Sequence, residues 1–297
     1  MAQDDILILY MTDSNEEVIW SGSDLTYACL IDSKRTLAFK QAIIETVRPG
    51  NTVIDVGSGT GILSFFAADA GAKKVYAVEA DPVLATYLRK SVAVNNLTDV
   101  IEIIEGDALN VELPSNADVV IAELIETGLI EEMQVKVLNT LRERGIIGSS
   151  TKLIPQKYET SVQLADLDNT FYGHKITAPI HDWPNYSIGE EDWEQLKPSS
   201  LTDVKQIGLF DFTAGMIEPV VAKSLEFNTA NTTKVNAVKL MGKVYLTERI
   251  VLGATNSLNG DKYLTIDQLA PNPDGKFIVE ISYKMGGGFP GFKIKSL

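Results

Sequence analysis

Apolar residues between positions 52 and 150 recur in two alternating patterns. Short continuous apolar runs predict strands at 52–57, 74–80, 100–107, 117–124 and 146–150. Apolar residues at helical spacing predict helices at 33–47, 61–72, 82–95 and 128–142. Strands that alternate with helices in this way are typical of βαβ units. The sequence therefore predicts an α/β domain with a Rossmann-like parallel sheet over 1–150, including a helical N-terminal segment.

Beyond residue 150 the pattern changes to period-2 alternation. Strand-like runs stand at 157–164, 222–228, 235–246, 262–269 and 276–285, and glycine, asparagine and proline clusters separate them. This pattern predicts an all-β, barrel-like domain over 151–297. We interpret the polar and aromatic stretch 171–203 as an irregular insertion or arm, and we expect the glycine-rich tail 285–297 to be mobile.

Composition places the chain among globular proteins. Its 297 residues are 45% hydrophobic and 22% charged, and this length suggests about two domains with sizeable cores. No apolar run reaches the roughly 20 residues that a membrane-spanning helix needs. The first residues also lack the basic region of a secretory signal, so we expect no membrane association and no secretion.

The charge balance bears on possible partners. The chain has 26 basic and 40 acidic residues, a net charge of −14. An extended nucleic-acid surface is therefore not expected, because phosphate binding requires a basic patch. An acidic surface can also be a solubility adaptation, for example to salt.

Cysteine and histidine are scarce. One cysteine, Cys29, cannot form a disulfide framework within the chain. With only His174 and His181 beside it, the sequence offers too few ligands for a Cys/His zinc site, and we predict no metal. The cysteine usage fits a reducing compartment, so a cytoplasmic location is expected.

The segment with the clearest chemistry is a strand that runs into a glycine-rich turn and then into a helix. Its glycines are Gly57, Gly59 and Gly61, and Asp55 precedes them by two residues. A carboxylate at that place would repel a pyrophosphate docked at the helix N-terminus. It suits a ligand with an ammonium group and no phosphate, such as S-adenosyl-L-methionine (AdoMet), whose aminoacyl part could lie against the glycine backbone.

Acidic residues also end the next two predicted strands. Glu79 lies at the end of the second strand, where a carboxylate can accept hydrogen bonds from ribose hydroxyls. Asp107, followed by Ala108, lies at the end of the third, within reach of an adenine amino group. Each acid alone could be a helix cap or a solvated loop residue. Together they predict a ligand laid across the carboxyl edge of the sheet.

At this point the chain resembles the class I AdoMet-dependent methyltransferases, and more narrowly the protein arginine methyltransferases. The stretch 55–81, DVGSGTGILSFFAADAGAKKVYAVEAD, is close to the first two motifs of that family. Upstream, the residues 32–36, DSKRT, match the family's D-x-x-R-T. The resemblance implies AdoMet as cofactor, with S-adenosylhomocysteine as product. It also implies that Arg35 pairs with the AdoMet carboxylate, a chemically sensible charge-assisted contact.

The fourth predicted strand leads to a group of glutamates. Glu123 and Glu132 have the nine-residue spacing of the two family glutamates that hold a substrate guanidinium, and Glu126 and Glu131 are near alternatives. Two carboxylates match the planar donors of a guanidinium. The resemblance therefore implies catalytic roles for Glu123 and Glu132. Alternatively, the last two acids could simply favour the N-terminus of the following helix.

The chain also departs from the family. The Thr-His-Trp loop that helps to close the family's substrate site has no counterpart, since 245–265 contains neither histidine nor tryptophan. The aromatic motif that covers AdoMet is not clear, although Tyr10, Trp20 and Tyr27 are available. The sequence 181–183, His-Asp-Trp, could replace the missing loop, and Cys29 is interpreted as a packing residue.

The leading functional expectation is an AdoMet-dependent methyltransferase that N-methylates a protein side chain. The alternative is that the acceptor is a small molecule or RNA. A hypothesis from a different functional class is a non-catalytic AdoMet-binding scaffold or regulatory protein. By the family resemblance, the arm at 171–203 could support a homodimer.

Overall fold

The computed structural model describes residues 23–182, 198–228 and 234–297. Tyr10, Trp20 and Trp183, which the sequence raised as candidates, lie outside these ranges, and so does part of the arm. Within these ranges, no helix combines the length and apolar character required to cross a bilayer.

The N-terminal half is a parallel sheet flanked by helices. In chain order its elements are α1 (Ser23–Ile31), α2 (Ser33–Thr46), β1 (Thr52–Val56), α3 (Ile62–Asp69), β2 (Lys74–Glu79), α4 (Pro82–Val94), β3 (Ile101–Glu105), β4 (Val119–Ala122), α5 (Gln134–Glu143) and β5 (Lys152–Ile154). The strand order is β3-β2-β1-β4-β5, and all four pairings are parallel. The order reverses at β1, and ligands bind at such switch points, beyond the strand ends.

Local sequence signals explain where the helices begin. Asp32 caps α2 by accepting a hydrogen bond from the Arg35 amide at 3.1 Å. Asp81 caps α4 by accepting from Val83 at 2.7 Å, and Pro82 occupies the first turn, where its missing N–H is not needed. Both caps fix helices that lie next to the glycine-rich turn.

Two boundary predictions were wrong. The last parallel strand is Lys152–Ile154, whereas the apolar run at 146–150 forms a turn region. The helix predicted from 128 begins only at Gln134, because Gly128 and Leu129 have φ values of 86° and 56° and so leave the helical region. The domain division at residue 150 remains a prediction, although β5 pairs with β4 in the first sheet.

The C-terminal half is antiparallel. Its strands are β6 (Lys157–Asp166), β7 (Thr170–Phe171), β8 (His174–Lys175), β9 (Ile180–Asp182), β10 (Ser200–Leu201), β11 (Lys205–Asp211), β12 (Val220–Asn228), β13 (Val235–Tyr245), β14 (Val251–Leu252), β15 (Asp261–Leu269), β16 (Lys276–Lys284) and β17 (Lys293–Ser296). One sheet has the order β10-β6-β13-β15-β9, with β11 paired to β6 and β14 to β13. A second sheet has the order β12-β16-β17, and β7 and β8 form a hairpin.

The tail was expected to be mobile, and this expectation was wrong. Residues 293–296 form β17 and pair with β16. Before that strand, the amides of Gly286 and Gly288 donate to the carbonyl oxygens of Leu129 and Ile130 at 2.9 and 2.8 Å. The glycines therefore allow a tight turn that docks on the segment after β4.

A single apolar cluster joins the two halves. It extends from Ile54 in the parallel sheet, through Leu129 and Ile130 after β4, to Leu240 and Val279 in the antiparallel sheets. Burial on this scale links the halves firmly, since each fully buried aliphatic side chain contributes about 1.5–3 kcal/mol. The antiparallel half thereby lies beside the segment that follows β4.

Candidate active site

The glycine-rich turn between β1 and α3 is a close-packed cradle. Gly57 and Gly61 have φ values of 69° and 83°, a region that residues with a Cβ rarely adopt. A Cβ at Gly57 would lie 2.7 Å from Leu124 Cδ2, and one at Gly61 would lie 2.2 Å from Leu88 Cδ1. A larger residue at Gly57 or Gly61 would therefore collide with these leucines and change the shape of the turn.

Glu79, at the end of β2, is buried and bound to backbone amides. Its Oε2 accepts from Gly59 at 2.7 Å, and its Oε1 accepts from Asp81 at 2.9 Å. An ionised carboxylate offers about four acceptor positions, so about two remain for ligand hydroxyls. Glu79 thus links the glycine-rich turn to the end of the neighbouring strand.

Asp55 is almost inaccessible to solvent at 1% exposure. Its Oδ2 accepts a hydrogen bond from the Ser64 hydroxyl at 2.6 Å. Burial raises the pKa of Asp55 to about 6, the Ser64 hydrogen bond opposes this shift, and the nearby Glu79 adds to it. A bound ammonium group would supply the positive charge that this carboxylate lacks.

Arg35, on α2, is buried and forms an ion pair with Glu123 through Nη2. Burial disfavours its charge, but the Glu123 carboxylate outweighs this effect and raises the pKa of Arg35. The guanidinium also lies 5.3 Å from the centroid of the Phe39 ring. Its buried Nε has no hydrogen-bond partner among the described residues, so one donor is available to an added carboxylate.

Asp107 and Ala108 form the turn after β3. The Asp107 carboxylate accepts from the Leu109 amide at 2.9 Å and from the Asn110 side chain at 3.2 Å. The Arg144 guanidinium, at the end of α5, donates to the carbonyl oxygens of Ala108 and Leu109 at 3.0 Å each. The turn is therefore fixed from two sides, and its role at an adenine remains a prediction.

The segment 123–133, here called the acid loop, connects β4 to α5. Its start is held by Gln134, whose Oε1 accepts from the Leu124 amide at 3.0 Å. Its middle is held from the antiparallel half, because Thr127 donates to the Gly260 carbonyl at 2.6 Å and Gly128 donates to the Tyr158 hydroxyl at 3.1 Å. These contacts support the left-handed backbone at Gly128 and Leu129, which delays the start of α5.

The four glutamates of the acid loop have different surroundings. Glu123 pairs with Arg35, while Glu126 and Glu131 both pair with Lys262 of β15, the latter at 2.9 Å. Within the described part of the chain, no hydrogen bond or ion pair engages the Glu132 carboxylate. Burial raises the pKa of Glu132 to about 8, and the neighbouring Glu123 and Glu126 add to the shift.

The structure thus brings Arg35, Glu123 and Glu132 into one charged cluster at the end of β4. Cys29 lies near the same cluster, and burial raises the pKa of its thiol to about 11. It is therefore protonated at neutral pH, which fits the packing role inferred from the sequence, because the thiolate is the nucleophilic form.

Of the alternative loop at 181–183, the structure describes His181 and Asp182, and His181 stands opposite Lys262 of β15. His181 and Asp182 belong to β9, where Asp182 stands opposite Asp261 of β15. Burial raises the pKa of Asp182, and the Asp261 charge adds to this. In the part of the chain that the structure describes, no group of three His, Cys, Asp or Glu residues could hold a metal ion.

Sequence reasoning missed the residues that support the site from a distance. Lys262, Gln134, Ser257 and Arg144 contact the acid loop, α2 or the turn after β3. None stands in a motif around the glycines. The one available signal was an isolated lysine in an otherwise strand-like run, 261–269.

Comparisons with known proteins bear on both halves. Residues 36–190 match the model of a family described as PrmA, ribosomal protein L11 methyltransferase. The chain is 33% identical over 271 residues to the uncharacterized protein MJ1452 of Methanocaldococcus jannaschii, covering 90% of this chain and 95% of that protein. It is 39% identical over 163 residues to protein arginine N-methyltransferase PRMT10 of Arabidopsis thaliana, covering 53% of this chain and 42% of that protein.

A solved structure extends the likeness to the whole fold. It is the Trypanosoma brucei PRMT1 enzyme-prozyme heterotetrameric complex with AdoHcy. The match has a TM-score of 0.65 at 20% identity and covers 93% of this chain and 98% of the other. The predicted fold class, a Rossmann-like parallel sheet followed by a barrel-like antiparallel region, is confirmed.

Proposed function

The chain belongs to the methyltransferase family described as PrmA, ribosomal protein L11 methyltransferase, and from the two carboxylates of the acid loop and the arginine-methyltransferase-like relatives we propose that it N-methylates the guanidinium of a protein arginine. It is an AdoMet-dependent methyltransferase with arginine-methyltransferase-like relatives. The names of these relatives concern protein substrates, which favours a protein as acceptor.

The residues of the cradle fit AdoMet. Arg35 suits its carboxylate through its charge and through Nε, which has no partner in the part of the chain that the structure describes, and the buried Asp55 suits its ammonium group. Glu79 retains acceptor positions for the ribose hydroxyls. The backbone of Gly57, Gly59 and Gly61 would border the aminoacyl part, and Asp107 with Ala108 would border the adenine. When bound, AdoMet supplies an electrophilic methyl group.

The acid loop would orient the acceptor. Glu123 and Glu132 present two carboxylates, and a guanidinium has planar donors that can meet both. Such pairing fixes the angle at which the nitrogen meets the methyl group, and alignment of this kind carries much of the rate of a transfer reaction. A carboxylate of the pair would also receive the proton that the methylated nitrogen loses.

One observation carries the proposal: Glu132 is partly buried near Glu123 and has no ion-pair partner of its own among the described residues. Two neighbouring carboxylates in a low-dielectric site are unfavourable unless a positive group joins them. An arginine side chain supplies such a group, with donors for both acids.

Labelled AdoMet tests the proposal. Purified enzyme is incubated with extract of the source cells, and label is followed in protein, RNA and small-molecule fractions. We expect label in protein, with methylarginine after acid hydrolysis, and loss of label with Glu132→Gln. Glu143→Gln is the matched control, because Glu143 is exposed at the end of α5.

Other outcomes assign other functions. Label in RNA or in a small molecule would show a different acceptor. AdoMet binding without methyl transfer to any fraction would favour a non-catalytic AdoMet-binding scaffold. Methyllysine in place of methylarginine would also contradict the proposal.

A homodimer belongs to the same proposal. The β7–β8 hairpin in the arm carries Phe171 and Tyr172, and the Tyr172 side chain is fully exposed at 102%. An apolar face on α1 and α2, including Tyr27, Ile31 and Leu37, is also exposed. We expect wild-type protein to sediment as a dimer and Tyr172→Ser to sediment as a monomer, with Val94→Ser as an exposed control. A monomeric wild type would contradict this.

A cytoplasmic location is the remaining part of the proposal, and the single cysteine Cys29 favours it. Fractionation of the source cells followed by immunodetection checks it, and recovery of the protein outside the cytoplasm would contradict it.

A further inference from the structure

Lys262 is a buried cation inside the antiparallel half. It lies on β15 with its side chain 3% exposed, and its ammonium contacts both Glu126 and Glu131. The Phe289 ring, from the turn before β17, lies 4.9 Å from the ammonium. A buried lysine is costly unless its charge is compensated, so this contact set fixes the side chain in place.

The pairing divides the acid loop into two groups. Glu126 also accepts from the Glu131 amide at 2.8 Å, so the two acids bound to Lys262 are joined to each other. The next residue, Glu132, forms no ion pair with Lys262 among the described residues, although the charges of Glu123, Glu126, Lys262 and Arg35 all act on it. Lys262 thus pairs with two of the four acids, and within the described ranges Glu132 has no cation in direct contact.

We propose that Lys262 is a positioning residue that reserves Glu132 for the acceptor by pairing with Glu126 and Glu131. This inference rests on the proposed function, because it assumes a cationic acceptor at the acid loop. It adds a residue and a role that neither the glycine motifs nor the acid spacing indicates.

The charges that face Glu132 come from several elements. Glu123 and Glu126 lie on its own loop, Arg35 on α2 and Lys262 on β15. The Cys29 thiol on α1 also interacts with Glu132, but it is uncharged at neutral pH. Lys262 lowers the pKa of Glu132 through its charge, while Glu123 and Glu126 raise it. Changes at Lys262 and at its two acids should therefore move the Glu132 titration in opposite directions.

The test measures this titration directly. Glutamates are labelled with ¹³C at the carboxyl carbon, and Glu132→Gln assigns the Glu132 signal. In Lys262→Met we expect the Glu132 midpoint to rise by about 1 pH unit, the lower end of what a nearby opposite charge contributes. Lys262→Arg should restore it. Lys239→Met is the matched control, since Lys239 is a partly buried lysine on β13 paired with Asp261 at 2.7 Å.

A second variant keeps the proposal testable if Lys262→Met does not fold. Replacing Glu126 and Glu131 together by glutamine leaves Lys262 without partners, so its ammonium should turn to Glu132 and lower the Glu132 midpoint. With a labelled acceptor in hand, both changes should raise the acceptor KM about tenfold, the scale of one lost charged hydrogen bond. The Kd of AdoMet should stay within about twofold.

The outcomes separate this inference from the proposed function. Unchanged Glu132 midpoints in both variants would overturn the role of Lys262, whatever the acceptor is. Shifted midpoints with an unchanged acceptor KM would also overturn it, because Lys262 would then act only on charge. Shifted midpoints in an enzyme that labels no arginine would contradict arginine as the acceptor. They would still support the effect of Lys262 on Glu132.

Discussion

Arg35 and Glu123 form a buried ion pair that connects α2 to the end of β4. By the proposed function, Arg35 serves the cofactor and Glu123 serves the acceptor, so the pair joins two binding sites. Breaking a buried pair by removing one partner leaves the other charge uncompensated. The two single variants should therefore differ in binding while sharing a loss of stability.

Arg35→Met should weaken AdoMet binding by about 1.5–3 kcal/mol, the value of hydrogen bonds to a charged group. Glu123→Gln should retain cofactor binding and lose methyl transfer, because its amide cannot replace the carboxylate at the acceptor. Calorimetry with AdoMet and transfer of labelled methyl groups measure both. Lys34→Met on the exposed side of α2 is the control. Wild-type affinity in Arg35→Met would remove this residue from the cofactor site.

Asp55→Asn should stabilise the cofactor-free enzyme and weaken AdoMet binding. The pKa of Asp55 is raised to about 6 in the folded chain, above its usual 3.8, so the carboxylate opposes folding once pH rises through this window. At pH 8 the asparagine variant should gain roughly 1–3 kcal/mol in unfolding free energy, and at pH 4 the gain should nearly vanish.

Thermal or urea unfolding at pH 4 and pH 8 checks this prediction. Asp69→Asn on α3 is the control, because its side chain is exposed. An equal effect of Asp55→Asn at both pH values would show that charge burial is not the cause. Unchanged AdoMet affinity would show that Asp55 is not needed for the ammonium group.

The parallel sheet could be predicted because its signals are local. Buried strands such as Val119–Ala122 appear as continuous apolar runs, and the α2 and α4 caps stand in the sequence. The start of α5 could not be predicted. Gly128 and Leu129 adopt left-handed backbone because Tyr158 and residues 285–288 bind this segment, and those contacts are distant in sequence.

The same distinction applies to the site. Glu123 and Glu132 are visible through their spacing, but the spacing could not separate Glu132 from Glu126 and Glu131. That separation depends on Lys262, which lies 130 residues after Glu132. Likewise, the glycines of the tail led to the prediction that it is mobile. The sequence does not show the carbonyl oxygens to which the amides of those glycines donate.

Glu132→Gln should change the pH dependence of stability. Burial raises the pKa of Glu132 to about 8 from its usual 4.5, so the native state binds a proton that the unfolded state releases. The wild type should therefore lose stability as pH rises toward 8, relative to the glutamine variant. Melting temperatures at pH 6 and pH 9 measure the difference, with Glu143→Gln as the exposed control. A parallel decline in wild type and variant would contradict the burial of this charge.

Asp32 ties the cofactor side of the molecule to the antiparallel half. Its Oδ2 accepts from both the amide and the hydroxyl of Ser257 at 2.9 Å, while Oδ1 caps α2 through the Arg35 amide. Burial works against the charged form, but these hydrogen bonds outweigh it and lower the pKa of Asp32. The tie should therefore persist at neutral pH and weaken only as pH falls through the lowered pKa of Asp32, below the usual range of a carboxyl group.

Ser257→Ala should cost about 0.5–1.5 kcal/mol of unfolding free energy, since it removes one hydrogen bond and leaves the cap intact. Asp32→Ala should cost more, because the cap alone contributes about 1 kcal/mol. It should also weaken AdoMet binding, since the first turn of α2 carries Arg35. Urea unfolding at pH 7 and calorimetry compare the two, with exposed Asp99→Ala as control. If both variants keep the AdoMet affinity of the wild type, Arg35 is placed without this tie.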